Sequence, residues 1–293
     1  MSESATREGF IPVHGGRVFY RVFGSGDAVP LLALHGGPGF PHDYLEPLAA
    51  LADERPVVLY DQLGSGRSDR PDDLGLWRME RFVQELGQVR AALGMERVHL
   101  LGHSWGTMLS ADYMLTEPAG IVSLTLASPC LSIPRWQQDL DAYRQELPTD
   151  VRAALDRHEA AGTTDSAEYE EATMEFYHRH LCRLDPWPDW LLQAFSDANL
   201  NVYGTMWGPS EFFITGSLKD YDRSGTLGQI AAPTLFTCGR YDEATPATTA
   251  WYQSLVPGAE LAVFEQSAHL PHAEEPQAYV TTLRAFIRRA ESR

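Results

Sequence analysis

Cysteine is scarce in this chain. There are three in 293 residues, Cys130, Cys182 and Cys238, odd in number and widely spaced, which fits free thiols in a reducing compartment better than a disulfide framework. Basic residues are also few: 23 Lys and Arg stand against 40 Asp and Glu, a formal net charge of −17. Nucleic acid and anionic membrane both demand basic surface, so neither is expected as a partner. The acidic excess is compatible with a cationic substrate, and equally with a plainly solvated surface. No apolar run approaches membrane-spanning length, and Met1–Glu8 carries no apolar core of a secretory signal. Cytoplasm is the default expectation. The glycine-rich stretch Asp61–Ser68 lacks a G-K-[ST] ending and opens no helix at its last glycine. It reads as a strand-end turn that shapes the floor of a site, not as a phosphate loop. His178 and His180 have no second ligand pair at metal spacing, so they read as a solvated helix face.

What is present is an ordinary globular composition, 44% hydrophobic, in a chain long enough for a large core and one or two domains. Phe10–Val13 and Val18–Phe23 flank His14-Gly15-Gly16-Arg17 and read as an antiparallel hairpin. From there β-like apolar runs alternate with helical spacing. The runs are Leu31–Leu34, Val57–Tyr60, Val98–Leu101, Val122–Ala127, Pro233–Cys238 and Leu261–Phe264. Continuous apolar runs of this kind suit parallel strands covered on both faces. Helices are expected over residues 43–52, 77–93, from Thr107 to a stop at Glu117-Pro118, over 247–256, and from Glu274 onward. The rhythm breaks between Leu131 and Arg223, where four helical stretches (residues 135–147, 151–161, 168–182 and 188–200) lead to an aromatic, glycine-rich segment, Asn201–Phe213. The pattern predicts a mostly parallel, eight-stranded sheet with helices on both faces. It divides the chain into a core over residues 1–130, a helical cap over 131–225, and a second core part over 226–293.

The chain is organised around Gly102-His103-Ser104-Trp105-Gly106. A serine between two glycines, at the corner from a buried strand into a helix, is a nucleophile elbow: side chains larger than hydrogen would clash in so tight a turn. A serine hydroxyl needs a base to take its proton and an acid to orient that base. Asp242 follows a strand and suits the orienting carboxylate. His269 and His272 compete as base. His269 lies in the loop directly after the last strand, free to swing over Ser104, whereas His272 starts the last helix and suits packing or capping. His35-Gly36-Gly37-Pro38-Gly39, also at a strand end, leaves backbone N–H groups bare, as an oxyanion hole requires. His35 and His103 read as structural neighbours of the site. Ligands of such a sheet bind at the carboxyl ends of its strands, where Ser104, Asp242 and His269 all fall.

Those motifs, with Asp61–Ser68, Trp207-Gly208-Pro209-Ser210-Glu211-Phe212 and Gly239-Arg240-Tyr241-Asp242-Glu243, resemble the proline iminopeptidases (prolyl aminopeptidases). These are α/β-hydrolases with a helical cap. The resemblance implies that Glu211, from the cap, and Glu243, after the triad aspartate, bind the free α-amino group of the substrate. It implies a serine hydrolase that removes an N-terminal Pro, Ala or similar small residue from a peptide or amide, with the backbone N–H groups of Gly37 and Trp105 as the oxyanion hole. An acyl-enzyme would form on Ser104, with His269 as base and Asp242 as its orienter. No metal and no organic cofactor is implied; the partner is a small molecule or short peptide with a free amine. A neutral His269 and a charged amine together predict activity falling below about pH 6.5 and above about pH 8. Tyr203, Trp207 and Phe212 are candidates for an acyl pocket or for packing at the domain seam. The same family contains L-amino-acid amidases and enzymes that trim an aminoacyl group from a macrolactam intermediate, so the leaving group stays open. Two rival readings are a general carboxylesterase without an amine requirement and a non-catalytic ligand receptor on the same fold.

Overall fold

The computed structural model describes residues 7–292; residues 1–6, read above for a leader segment, lie outside it. Eight strands form one sheet in the order β1-β2-β4-β3-β5-β6-β7-β8. In chain order the first are β1 (Arg7–Val13), β2 (Gly16–Phe23), β3 (Leu31–Leu34) and β4 (Val57–Tyr60). Helix α1 (Met79–Ala92), β5 (Val98–His103), α2 (Trp105–Met114) and β6 (Ile121–Ala127) follow. The hairpin strand β2 runs antiparallel to β1 and β4, and every pair from β4 to β8 is parallel. Every residue of β3, β4 and β5 is buried, which is why β3 and β4 are continuous apolar runs; β5 also carries two buried histidines, His99 bonded to the Ser123 hydroxyl and His103 to that of Tyr44.

Between β6 and β7 the chain forms five helices: α3 (Ile133–Gln145), α4 (Thr149–Ala161), α5 (Ala167–His180), α6 (Asp189–Ser196) and α7 (Leu200–Met206). Then come β7 (Thr234–Gly239), α8 (Pro246–Leu255), β8 (Glu260–Phe264), α9 (Pro271–Glu274) and α10 (Pro276–Glu291). No helix among the described residues is long and apolar enough to cross a membrane.

Three sequence expectations need correction. Residues 43–52 form a 3-10 helix over Asp43–Leu51, not an α-helix, with Pro47 inside it; proline has no N–H to donate, and its ring crowds the carbonyl four residues back. The helix expected over residues 188–200 ends at Ser196. Asn199 then caps α7 by accepting the Asn201 N–H, while its own N–H and amide donate to the carbonyls of Gly39 and Gly64. The aromatic segment Asn201–Phe213 therefore begins as a helix. The final helix is also split. Glu275 separates α9 from α10, which opens on Pro276, a residue suited to a first helical turn but not to a helix interior.

Candidate active site

Ser104 sits between the end of β5 and the start of α2 with φ 54° and ψ −122°, a region that non-glycine residues avoid unless the surroundings enforce it. The enforcement is visible. A Cβ on Gly102 would lie 2.2 Å from the Gly106 carbonyl oxygen, and one on Gly106 would lie 2.4 Å from that of Leu34. The strand, turn and helix touch backbone to backbone, and the Ser104 N–H is pinned to the Ala127 carbonyl at 3.0 Å. Trp105 is the first residue of α2, so its N–H has no acceptor within the helix.

Asp242 and His269 meet at the ends of β7 and β8. His269 Nδ1 donates to Asp242 Oδ1 at 2.7 Å, with both side chains buried. The Ala244 N–H donates to the same oxygen, and the Ser128 hydroxyl and Gly239 N–H approach Oδ2 at 2.7 and 3.2 Å. A carboxylate surrounded by four donors is held in place, which orients the ring it faces. His269 and Ser104 both line the cavity described below, although no hydrogen bond joins them among the described residues. Such bonds often tighten only with substrate present. His272 is buried with its ring against His103, Tyr44 and Tyr279, and burial lowers it to about 3. It packs, as its place in the sequence suggested.

The loop after β3 is braced by the turn after β4. The Gln62 N–H donates to His35 Nε2 at 3.0 Å, so His35 Nδ1 carries the proton it shares with the Gly36 carbonyl; burial lowers this imidazole to about 4. The Gln62 side chain accepts from Trp105 Nε1 and donates to the His35 carbonyl. Burial alone would raise Asp61, yet His42, His35 and the Arg67 N–H hold it at about 2. Gly37 adopts φ +42°, and its carbonyl accepts the Phe40 N–H at 2.8 Å. The Asp61–Ser68 turn thus braces the loop after β3, and none of its residues is in the lining of the cavity described below.

Glu211 and Glu243 approach from opposite sides. Glu243 is fully buried at the end of β7, and neither carboxyl oxygen has a hydrogen-bond partner among the described residues. Its Oε1 is 3.6 Å from His269 Nε2, beyond hydrogen-bond length. Burial, then Glu211, then Asp242 push its carboxyl well above the ordinary range. Glu211 is raised too, by burial, against the Tyr203 hydroxyl that donates to Oε1 at 2.6 Å and the nearby His269. Glu243, buried, and Glu211, half-buried, thus bring carboxyl oxygens with unused acceptor capacity near one another.

A cavity opens over Ser104. Gly36, Gly37, Ser104, Glu211 and His269 line its polar side, and Phe40, Leu181, Leu191, Ala194, Phe195 and Leu270 its apolar side. Tyr203, Trp207 and Phe212 are not in that lining. Tyr203 holds Glu211, Trp207 packs edge-on against Trp136, and Phe212 against Phe176. Half of the apolar wall comes from α6 (Leu191, Ala194 and Phe195), a segment whose sequence carries no motif, and the rest from Phe40, Leu181 and Leu270. Ser128 is a second residue that the motifs miss. It directly follows β6 with φ 49°, and only its place at a strand end hints at a role. As for metal ligands, His42, Asp43 and Asp61 bring atoms within 4.8 Å of one another. Those atoms are already engaged: His42 Nδ1 with Asp61 and Asp43 with Arg67. His180 Nδ1 donates to the Tyr241 carbonyl, and His178 packs on Trp187. All three cysteines are free and buried, and burial pushes their thiols up, Cys182 and Cys238 to about 12.

Residues 29–276 match the α/β hydrolase fold family. The proline iminopeptidase of Heyndrickxia coagulans is 50% identical over 282 residues, covering 96% of this chain and 98% of that protein. That of Thermoplasma volcanium is 34% identical, covering 97% of each. Among solved structures, VinJ superposes with a TM-score of 0.95 at 38% identity, covering 98% of this chain and 100% of that one. The proline iminopeptidase of Mycobacterium smegmatis superposes with a TM-score of 0.89 at 37% identity, covering 97% and 98%.

Proposed function

The chain belongs to the proline iminopeptidase family of α/β hydrolases, enzymes of the serine aminopeptidase kind, and on that premise we propose that it releases a small N-terminal residue such as Pro or Ala through an acyl-enzyme on Ser104, with the free α-ammonium held by Glu211 and Glu243. The observation that carries this reading is Glu243, buried with neither carboxyl oxygen hydrogen-bonded among the described residues, close to the half-buried Glu211, which lines the cavity with Ser104. An exopeptidase must distinguish a charged N-terminus from an internal amide. Charge-assisted hydrogen bonds from an ammonium to two carboxylates do so at about 1.5–3 kcal/mol each.

In this mechanism the ammonium docks between Glu211 and Glu243 and sets the substrate carbonyl over Ser104. His269 Nε2 takes the hydroxyl proton as Oγ attacks, while Asp242 holds the ring and stabilises its charge. The Gly37 and Trp105 N–H groups receive the oxyanion, each worth on the order of 3 kcal/mol. His269 then protonates the leaving amine, and water, deprotonated by the same nitrogen, releases the amino acid. Residues 131–225 act as a cap that supplies Glu211 and most of the apolar wall. The leaving group stays open: the amine released from a peptide, from a simple amide or from an aminoacylated secondary metabolite.

The test compares hydrolysis of prolyl and alanyl p-nitroanilides with their N-acetylated forms, using Ser104→Ala as blank. Cleavage of the free amines alone supports the reading, and the Pro/Ala ratio sizes the pocket. Equal cleavage of both forms would leave a general carboxylesterase, and no cleavage of either would favour a larger leaving group or a receptor.

A further inference from the structure

One ring beside the nucleophile connects the two parts of the site that must be in register with it. The Gly36 N–H can only donate, and it does so to Tyr44 Oη at 2.5 Å. The Tyr44 hydroxyl proton is thereby left for His103 Nδ1, 2.8 Å away. His103 must then carry its own proton on Nε2, which donates to the backbone carbonyl of His269 at 2.8 Å. The polarity of this chain follows from one obligate donor at its start and one obligate acceptor at its end. Burial, with His269 and His272 close by, keeps His103 neutral, as the chain requires. The His103 ring also packs edge-on against those of Tyr44, His269 and His272. The His269 peptide is held further by its N–H on the Leu181 carbonyl and by the Ser128 hydroxyl, 3.0 Å from its own carbonyl.

We propose that Tyr44 and His103 are positioning residues: their hydrogen-bonded relay fixes the Gly36-Gly37 loop and the backbone of His269 relative to Ser104, which His103 immediately precedes. Both also line the cavity over Ser104, and the role proposed acts through the backbone groups they hold. Because a displacement of about 1 Å can cost a hundredfold in rate, slack in the relay is read in chemistry before it is read in binding. The inference rests on Ser104 being the nucleophile and deepens the mechanism above.

The experiment measures the rate at which a fluorophosphonate labels Ser104, together with kcat and KM on prolyl p-nitroanilide and the melting temperature. Tyr44→Phe removes one hydroxyl at nearly constant volume. The relay predicts labelling and kcat lower by at least about tenfold, with KM within about twofold. His103→Gln carries the test if Tyr44→Phe does not fold, and its expected effect is the same. The two variants combined should cost far less than the product of their separate effects, as links of one network do. A Tyr44→Phe protein that melts lower but labels and turns over at the wild-type rate overturns the relay, as do independent, multiplying effects. Wild-type protein that is labelled yet does not cleave free-amine substrates removes the aminopeptidase reading alone, and labelling still reads the relay. Wild-type protein that resists labelling overturns both.

Discussion

His269 Nε2 lies 3.6 Å from Glu243 Oε1, while its Nδ1 is held by Asp242 Oδ1 at 2.7 Å. The nitrogen assigned to accept the serine proton therefore borders the carboxyl assigned to recognise the substrate amine. Recognition and chemistry share one wall, and changes to that wall should appear in both stability and rate.

Glu243→Gln tests the wall directly. The Glu243 carboxyl is raised by burial, Glu211 and Asp242, so the folded protein holds this proton more tightly than the unfolded chain does. Its contribution is fully present below the ordinary carboxylate value and is lost as pH rises through the folded value. The glutamine cannot ionise, so the variant should melt higher than wild type at pH 8, by about 1 kcal/mol in stability, with a smaller gain at pH 5. Turnover of free-amine anilides should fall about tenfold to a hundredfold, consistent with one lost charge-assisted bond. Melting curves at the two pH values check the sign; a gain that grows toward acid contradicts it.

Tyr203→Phe removes the hydrogen bond that holds Glu211 down against its burial. The Glu211 carboxyl should rise further, so the acidic limb of the kcat/KM profile for a free-amine substrate should move to higher pH. The rate at which a fluorophosphonate, which carries no amine, labels Ser104 should show no such movement. A limb that stays in place would free Glu211 from amine binding.

Ser128→Ala leaves Asp242 Oδ2 with the Gly239 N–H alone. Stability should drop by about 1–2 kcal/mol for one lost buried hydrogen bond. With the imidazole less firmly oriented, kcat should fall by about tenfold while KM stays nearly unchanged. Denaturant titration and steady-state kinetics measure both.

Gly106→Ala and Gly204→Ala form a matched pair. The first Cβ would meet the Leu34 carbonyl oxygen at 2.4 Å; the second, in α7, meets nothing within 4 Å. The elbow variant should yield little folded protein. The α7 variant should fold normally and gain about 0.5–1 kcal/mol from helix propensity. Expression and chemical denaturation of the two decide it.

The nucleophile turn, the strand-end loops and the order Ser104, Asp242, His269 could be read from the sequence because each is local: glycine spacing, an apolar run and the residue after it sit within a few positions of one another. The strands were legible for the same reason, since burial on both faces leaves continuous apolar runs in β3 and β4. Helix ends inside residues 188–213 were not, because Asn199 ends one element and begins another through bonds to Gly39 and Gly64, partners more than a hundred residues away. The apolar wall of the cavity, the grip of Ser128 on Asp242 and the bridge from Tyr44 through His103 to His269 were decided by the tertiary structure alone. Each depends on which strand ends the sheet order places side by side, and local periodicity carries no record of that order.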